Sequence, residues 1–162
     1  MENLFNKLSF VITSVWVGSL WSMLMVTSVL FNKIPSTYIA GALASDMFKF
    51  INYFGLFASG IIIFAGFKSY GVRVMKKAFL WITLFILLLV IISFFGIHPL
   101  LETLKVEALP REVMESVFAD RYSSWHGIAS AGYLLQCILG LSLIHISEPT
   151  RRTPISYAVF CL

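Results

Sequence analysis

Charge is what this chain has least of. Asp, Glu, Lys and Arg make up 12% of its 162 residues, about half the share of an ordinary soluble domain, which is roughly a quarter. Hydrophobic side chains make up 59%, which excludes a soluble globular class. Two cysteines, Cys137 and Cys161, exclude a disulfide framework and leave the redox compartment open. There is no glycine-rich phosphate loop, no Ser-His-Asp order and no metal-hydrolase motif. No enzyme is therefore expected, and no cofactor. The formal charge of +4 is spread over loops and an atypical C-terminal end rather than gathered on one face, so no nucleic-acid partner is expected.

Uninterrupted apolar length is what the chain does have. Ala78 to Ile97 runs twenty residues without a charge, with Thr83 and Ser93 as its clearly polar side chains. At about 1.5 Å per residue this reaches roughly 30 Å, the thickness of a bilayer core. Leu8 to Phe31 is longer and equally uncharged, Phe50 to Phe67 adds eighteen residues, and a fourth run starts at Trp125. The first run continues through Trp16, Trp21 and Met25 with no small-residue cleavage pattern, so it reads as an anchor and not as a signal peptide. The expected fold is an all-α integral membrane domain of four transmembrane helices, with the lipid bilayer as its first partner.

Residue types inside the runs refine this expectation. Thr13, Ser14, Ser19, Ser22, Thr27 and Ser28 in span one are tolerable in lipid because a hydroxyl can bond a carbonyl of the preceding turn. Gly18 and Ser22 lie four apart, as do Gly55 and Ser59 in span two. Such small pairs let another backbone approach, within the bundle or in a homo-oligomer. Met23 and Met25 sit two apart, on different sides of a helix, and read as packing or lipid-facing residues rather than soft-metal ligands.

The loops suggest an orientation. Pro35 stops span one, and Ser36 or Thr37 can cap the helix that follows. The short loop KSYGVRVMKK carries Lys68, Arg73, Lys76 and Lys77. Cytoplasmic loops collect Lys and Arg, so this loop and the N-terminus are expected inside, in a bacterial cytoplasmic membrane. The third loop, from Pro99 to Ser124, is the sizeable polar one. Pro110 suits a first helical turn, with Val113, Val117 and Arg121 on one row and Met114, Phe118 and Tyr122 on the next. A short amphipathic surface helix is expected there, before the fourth span, with Glu112, Glu115 and Asp120 facing water and Ser123 or Ser124 capping the span.

The last 22 residues, LSLIHISEPTRRTPISYAVFCL, break the pattern. Reverse-translated, LSLIHISEPTR resembles the read-through of a transposase-type sequencing-library adapter, and ISYAVFCL matches that adapter's far end. Arg152, Thr153 and Pro154 between them leave room for an index. The expectation is that residues 1–140 are the four-span domain with its last span truncated, and that 141–162 are an artefactual tail. His145, Cys161 and the Arg pair then carry no functional argument.

Several landmarks together resemble the transmembrane protein 205-like domain, a four-span membrane domain classed as of unknown function. They are VWVGSLW at Val15 to Trp21, SVLF at Ser28 to Phe31, Pro35 followed by Ala40 and Gly41, and Phe48. IHP at Ile97 to Pro99, where that family often has INP, and WHG at Trp125 to Gly127 complete the set. The likeness covers residues 8–140. It implies a four-span fold without an established activity. A eukaryotic relative is associated with platinum-drug resistance, which carries over to no residue here.

The candidate chemistry rests on His98 and His126, one ending span three and the other beginning span four, at the same membrane face. Two imidazoles at one depth could ligate a metal or haem, with Glu102, Glu107, Glu112, Glu115 or Asp120 as oxygen donors. Pro99 is expected to break the helical register between His98 and Glu102. The plainer reading makes both histidines interfacial, bonding backbone or headgroups. The functional expectation is a structural or accessory membrane protein; the alternatives are a small transporter or resistance factor acting as an oligomer, and a metal- or haem-binding membrane protein.

Overall fold

The computed structural model describes residues 2–109 and 111–147. They form α1 (Glu2–Lys33), α2 (Thr37–Tyr70), α3 (Ala78–Ile91), α4 (His98–Ala108) and α5 (Ala119–Ser147). Six residues of π-helix, Ile92–Ile97, join α3 to α4 without a break. Four helices are long and apolar enough to cross a membrane: Lys7–Lys33, Thr37–Lys76, Ala78–Ala108 and Ala119–Ile146. The expected all-α, four-span architecture is what the chain adopts.

Local chemistry explains the boundaries. Ser36 caps α2, its hydroxyl accepting from the Ile39 N–H at 3.3 Å. Gly71 ends α2 at φ +56°, a backbone region that favours glycine, and its N–H donates to Phe67 O. A 3₁₀ turn over Gly71–Lys76 then reverses the chain into α3. Within span one, hydroxyls turn back onto the helix as expected: Thr13 to Ser9 O, Ser19 to Trp16 O, Ser22 to Gly18 O and Thr27 to Met23 O, all between 2.6 and 2.8 Å.

The spans pack as a four-sided ring. α1 and α3 each lie against both α2 and α5, while the backbones of the diagonal pairs stay apart. The core holds Trp16, Leu20, Ala58, Ile62, Ile86, Val90 and Cys137. Small residues set the close approaches. A Cβ on Gly55 would lie 3.2 Å from Trp16 Nε1, and one on Gly140 would lie 2.9 Å from Val17 Cγ2. Gly18 differs: a Cβ there would meet nothing within 4 Å, and Ser22 is exposed. That pair packs no span of its own chain, so the small-residue packing expected of span one falls to the larger Trp16 and Val17. The outer surface is apolar, with Met25, Phe50 and Phe95 widely exposed, the solvation expected against lipid. Met23 is buried, so the two methionines do face opposite ways.

Two expectations about the third loop need correction. A short amphipathic helix does stand before the fourth span, but it is His98–Ala108, upstream of the 110–122 stretch that the spacing suggested. Residues 112–118 hold only the 3₁₀ turn Val113–Glu115. Ser116 explains the loss of helix: its hydroxyl donates to Val113 O at 2.7 Å and accepts from the Phe118 N–H at 3.1 Å. A side chain that bonds its own backbone in this way competes with the helical ladder. Ser123 and Ser124 consequently lie inside α5, and the Ser124 hydroxyl bonds back to Asp120 O.

The fourth span also runs past Gly140. Residues 141–147 continue α5, with Leu143 buried in the core. The LSLIHI stretch is apolar enough to extend the helix whatever its origin. The rest of the expected adapter-encoded tail, 148–162, lies outside the described residues.

Candidate functional site

Pro99 organises the site. A proline inside a helix has no N–H to donate, and its ring clashes with the carbonyl four residues back. The chain answers with the wider π turn, in which the His98 N–H reaches five residues back to Ser93 O. Pro99 then occupies the first turn of α4, where a missing donor costs nothing. Helical register therefore survives the proline, contrary to expectation. His98 and Glu102 stand one turn apart on the same side of α4, and both meet Ser45 of α2.

The contacts fix the chemistry of each group. His98 Nε2 lies 3.2 Å from the Ser45 carbonyl oxygen and 3.3 Å from its hydroxyl. A carbonyl only accepts, so Nε2 carries the proton and donates. The Ser45 hydroxyl spends its own hydrogen on Glu102 Oε1, at 2.5 Å. Lys105 Nζ approaches the same carboxylate oxygen at 3.2 Å. Lys49 and Asp46 form a second, more exposed pair at 3.2 Å nearby on α2. The Thr37 hydroxyl donates to the Glu112 carboxylate and ties the irregular segment to the start of α2. On α5, the rings of Tyr122 and His126 stack at 5.8 Å and 9°, and the Tyr133 hydroxyl donates to Leu20 O at 2.7 Å, joining α5 to α1.

Ser45, Lys105, Tyr122 and Tyr133 line one cavity of about 380 Å³, which opens between the spans and has mostly apolar walls. His98 and His126 both line it, so the structure brings the two sequence-predicted residues to a common space. Glu102 lines it too, whereas Glu107, Glu112, Glu115 and Asp120 do not. Among the described residues there is no group of three His, Cys, Asp or Glu side chains placed to hold a metal ion. With Nε2 of His98 engaged by Ser45, only its Nδ1 is left to act as an acceptor.

Sequence reasoning missed several members. Lys105 is one: it stands with Glu102, already a candidate donor, on a helical continuation of span three to Ala108, where the polar loop was expected to begin at Pro99. Asn52, two turns below Ser45 on α2, also lines the cavity. It is 8% exposed and makes no side-chain hydrogen bond among the described residues. The signal was present: Gly41, Ala44, Ser45, Phe48 and Asn52 recur at helical spacing and share the cavity face of α2. Small or apolar residues at most of these positions hide the polar line from Ser45 to Asn52.

A family model described as a domain of unknown function, DUF4149, matches residues 11–110. The match spans well over half of the chain, which belongs to that family. No curated protein and no solved structure matches. The matched stretch includes Ser45, Asn52, His98, Glu102 and Lys105 and stops short of Tyr122, His126 and Tyr133.

Proposed function

We propose that this member of the DUF4149 family is a non-catalytic accessory protein of the membrane that holds a small amphipathic molecule in the cavity between its spans. Asn52 carries the reading. Its amide has no protein partner among the described residues and is not sealed off but lines the cavity. An amide facing an apolar space without a partner costs about 1–3 kcal/mol by protein mutational data. Its remaining exposure is to the cavity, so a bound molecule with a hydrogen-bonding group at that depth offsets the cost. The cavity volume of about 380 Å³ falls in the usual range for small-molecule sites, roughly 300–1,000 Å³. The polar lining supports holding rather than reacting. The Ser45 hydroxyl points its hydrogen at a carboxylate, and the imidazole beside it presents an N–H, so neither is an activated nucleophile.

Protein purified in mild detergent is expected to carry one organic molecule per chain, seen by mass spectrometry of the solvent extract, and Asn52→Leu is expected to lose it. A chain that carries nothing, with Asn52→Leu raising stability, would sink the proposal. A Soret band or stoichiometric metal in the same preparation would instead favour the two histidines as ligands. A transporter reading has one observation on its side, a polar group at depth. Below Asn52, however, Trp16, Ile62 and Ile86 close the bundle core, so one chain offers half a passage. Substrate uptake by vesicles containing the protein would move that reading ahead.

Basic residues concentrated around the Gly71–Lys76 turn support an orientation with this turn and the N-terminus in the cytoplasm of a bacterium. The cavity, at the opposite end of the bundle, then faces the outer leaflet. A cysteine at Val72, which is 80% exposed, is expected to react with impermeant reagent only from the cytoplasmic side. Reaction from outside would invert the topology.

A further inference from the structure

We propose that the molecule held in the cavity is a zwitterionic aminophospholipid, gripped by its phosphoethanolamine head. The inference rests on the reading of the cavity as a ligand site and adds the class of ligand.

Depth is the first argument. The continuous helix Ala78–Ala108 has 31 residues, about 46 Å at 1.5 Å per residue, against a hydrocarbon core of roughly 30 Å. His98 lies twenty residues past Ala78, about one core thickness. If Ala78 marks one boundary of the hydrocarbon, His98 marks the other, and α4 continues through the headgroup layer. The cavity thus has its charged end among phosphates and its apolar end among acyl chains.

Charge is the second. The mouth presents one anion and one cation, Glu102 and Lys105, 3.2 Å apart and partly shielded, with side-chain exposures of 37% and 19%. A net cation or a net anion would satisfy one of them and repel the other. A zwitterion satisfies both, its ammonium donating to Glu102 and its phosphate accepting from Lys105, with His126 and Tyr122 on the facing wall as further donors. A neutral ring such as a quinone head would leave the ion pair without a role.

The third argument is the spacing of polar groups. Ser45, which holds Glu102, and Asn52 are seven residues apart on one face of α2, about 10.5 Å along the helix. A glycerophospholipid sets out ammonium, phosphate and ester carbonyls in that order. With the ammonium at Glu102, an ester carbonyl falls at the depth of Asn52, whose amide N–H₂ can donate to it. Leu24, Phe48 and Leu134 line the wall where the acyl chains begin.

The test uses the full chain reconstituted in bilayers of equal phosphatidylethanolamine, phosphatidylcholine and phosphatidylglycerol, then stripped with mild detergent. Lipid that stays bound is identified by mass spectrometry. Phosphatidylethanolamine is expected at about one per chain, enriched about tenfold or more over each of the others, the scale of one charge-assisted hydrogen bond. Glu102→Gln should shift the retained lipid towards phosphatidylglycerol, and Lys105→Gln should lower retention of every phospholipid, with helical circular dichroism confirming the fold of each variant. Equal retention of the three lipids, or of phosphatidylcholine with phosphatidylethanolamine, overturns the headgroup assignment. A stoichiometric molecule that is not a phospholipid overturns it too while leaving the cavity reading intact. An empty cavity in wild-type protein ends both.

Discussion

Trp16→Ala is expected to remove about 3 kcal/mol of stability, the lower end of the range of about 3–5 kcal/mol for large aromatic truncations in protein cores. Trp16 is the largest fully buried side chain, at 1% exposure. Its ring fills the space that Gly55 leaves on α2, where even one added carbon would crowd it. The indole N–H has no hydrogen-bond partner among the described residues, so its loss removes packing and no bond. Between spans in lipid the transfer contribution nearly vanishes, because the tails outside are as apolar as the core. What remains is dispersion and the void left behind, which is why the lower end of the range applies. Reversible unfolding in detergent micelles, followed by circular dichroism, measures the change. Trp81→Ala, at a ring 58% exposed, is the control and should shift the midpoint far less. A loss below about 1 kcal/mol at Trp16 would place the α1–α2 contact elsewhere.

Much of this fold is legible because its determinants are local. Apolar runs of span length, the Ser36 cap and the hydroxyls of span one need only their neighbours in sequence, and each appears where the sequence places it. The site is harder to read because it depends on one local event with a distant consequence. Pro99 reads as a helix breaker, and in isolation that is the sound expectation. Its accommodation as a π turn depends on the surrounding bundle, since α2 and α5 both pack against that turn. Ser45 and Asn52 could not be separated from ordinary packing residues without knowing that the backbones of α2 and α5 stay apart there, bridged by the Phe48 and Tyr133 rings. His98 and His126 stand out as histidines at one membrane face, with Glu102 as a candidate donor beside them, yet Ser45 does not: its bonds to His98 and Glu102 join residues 53 and 57 apart in sequence.

Pro99→Ala should separate stability from binding. Alanine restores an N–H and removes the ring clash, so the ladder can close as regular α-helix through Ile92–Ile97. One backbone bond is regained, worth about 1 kcal/mol, which offsets part of the side-chain bonding lost at Ser45, so stability should fall much less than binding. The π turn, however, accommodates one residue more than an α turn does. Converting it at constant length advances every later residue by about 100° around the helix axis. His98, Glu102 and Lys105 would then leave Ser45, and the hydrogen bonds at 3.2 and 2.5 Å would be lost together. Retention of the cavity molecule should fall about tenfold or more, as expected when at least one charge-assisted bond goes. Deleting Gly96 in the same background removes the extra residue and returns α4 to its original facing, so binding should recover. A Pro99→Ala protein that keeps its molecule would show that the proline does not hold the π turn. If binding fell and the Gly96 deletion did not restore it, the loss would come from Pro99 itself and not from the facing of α4.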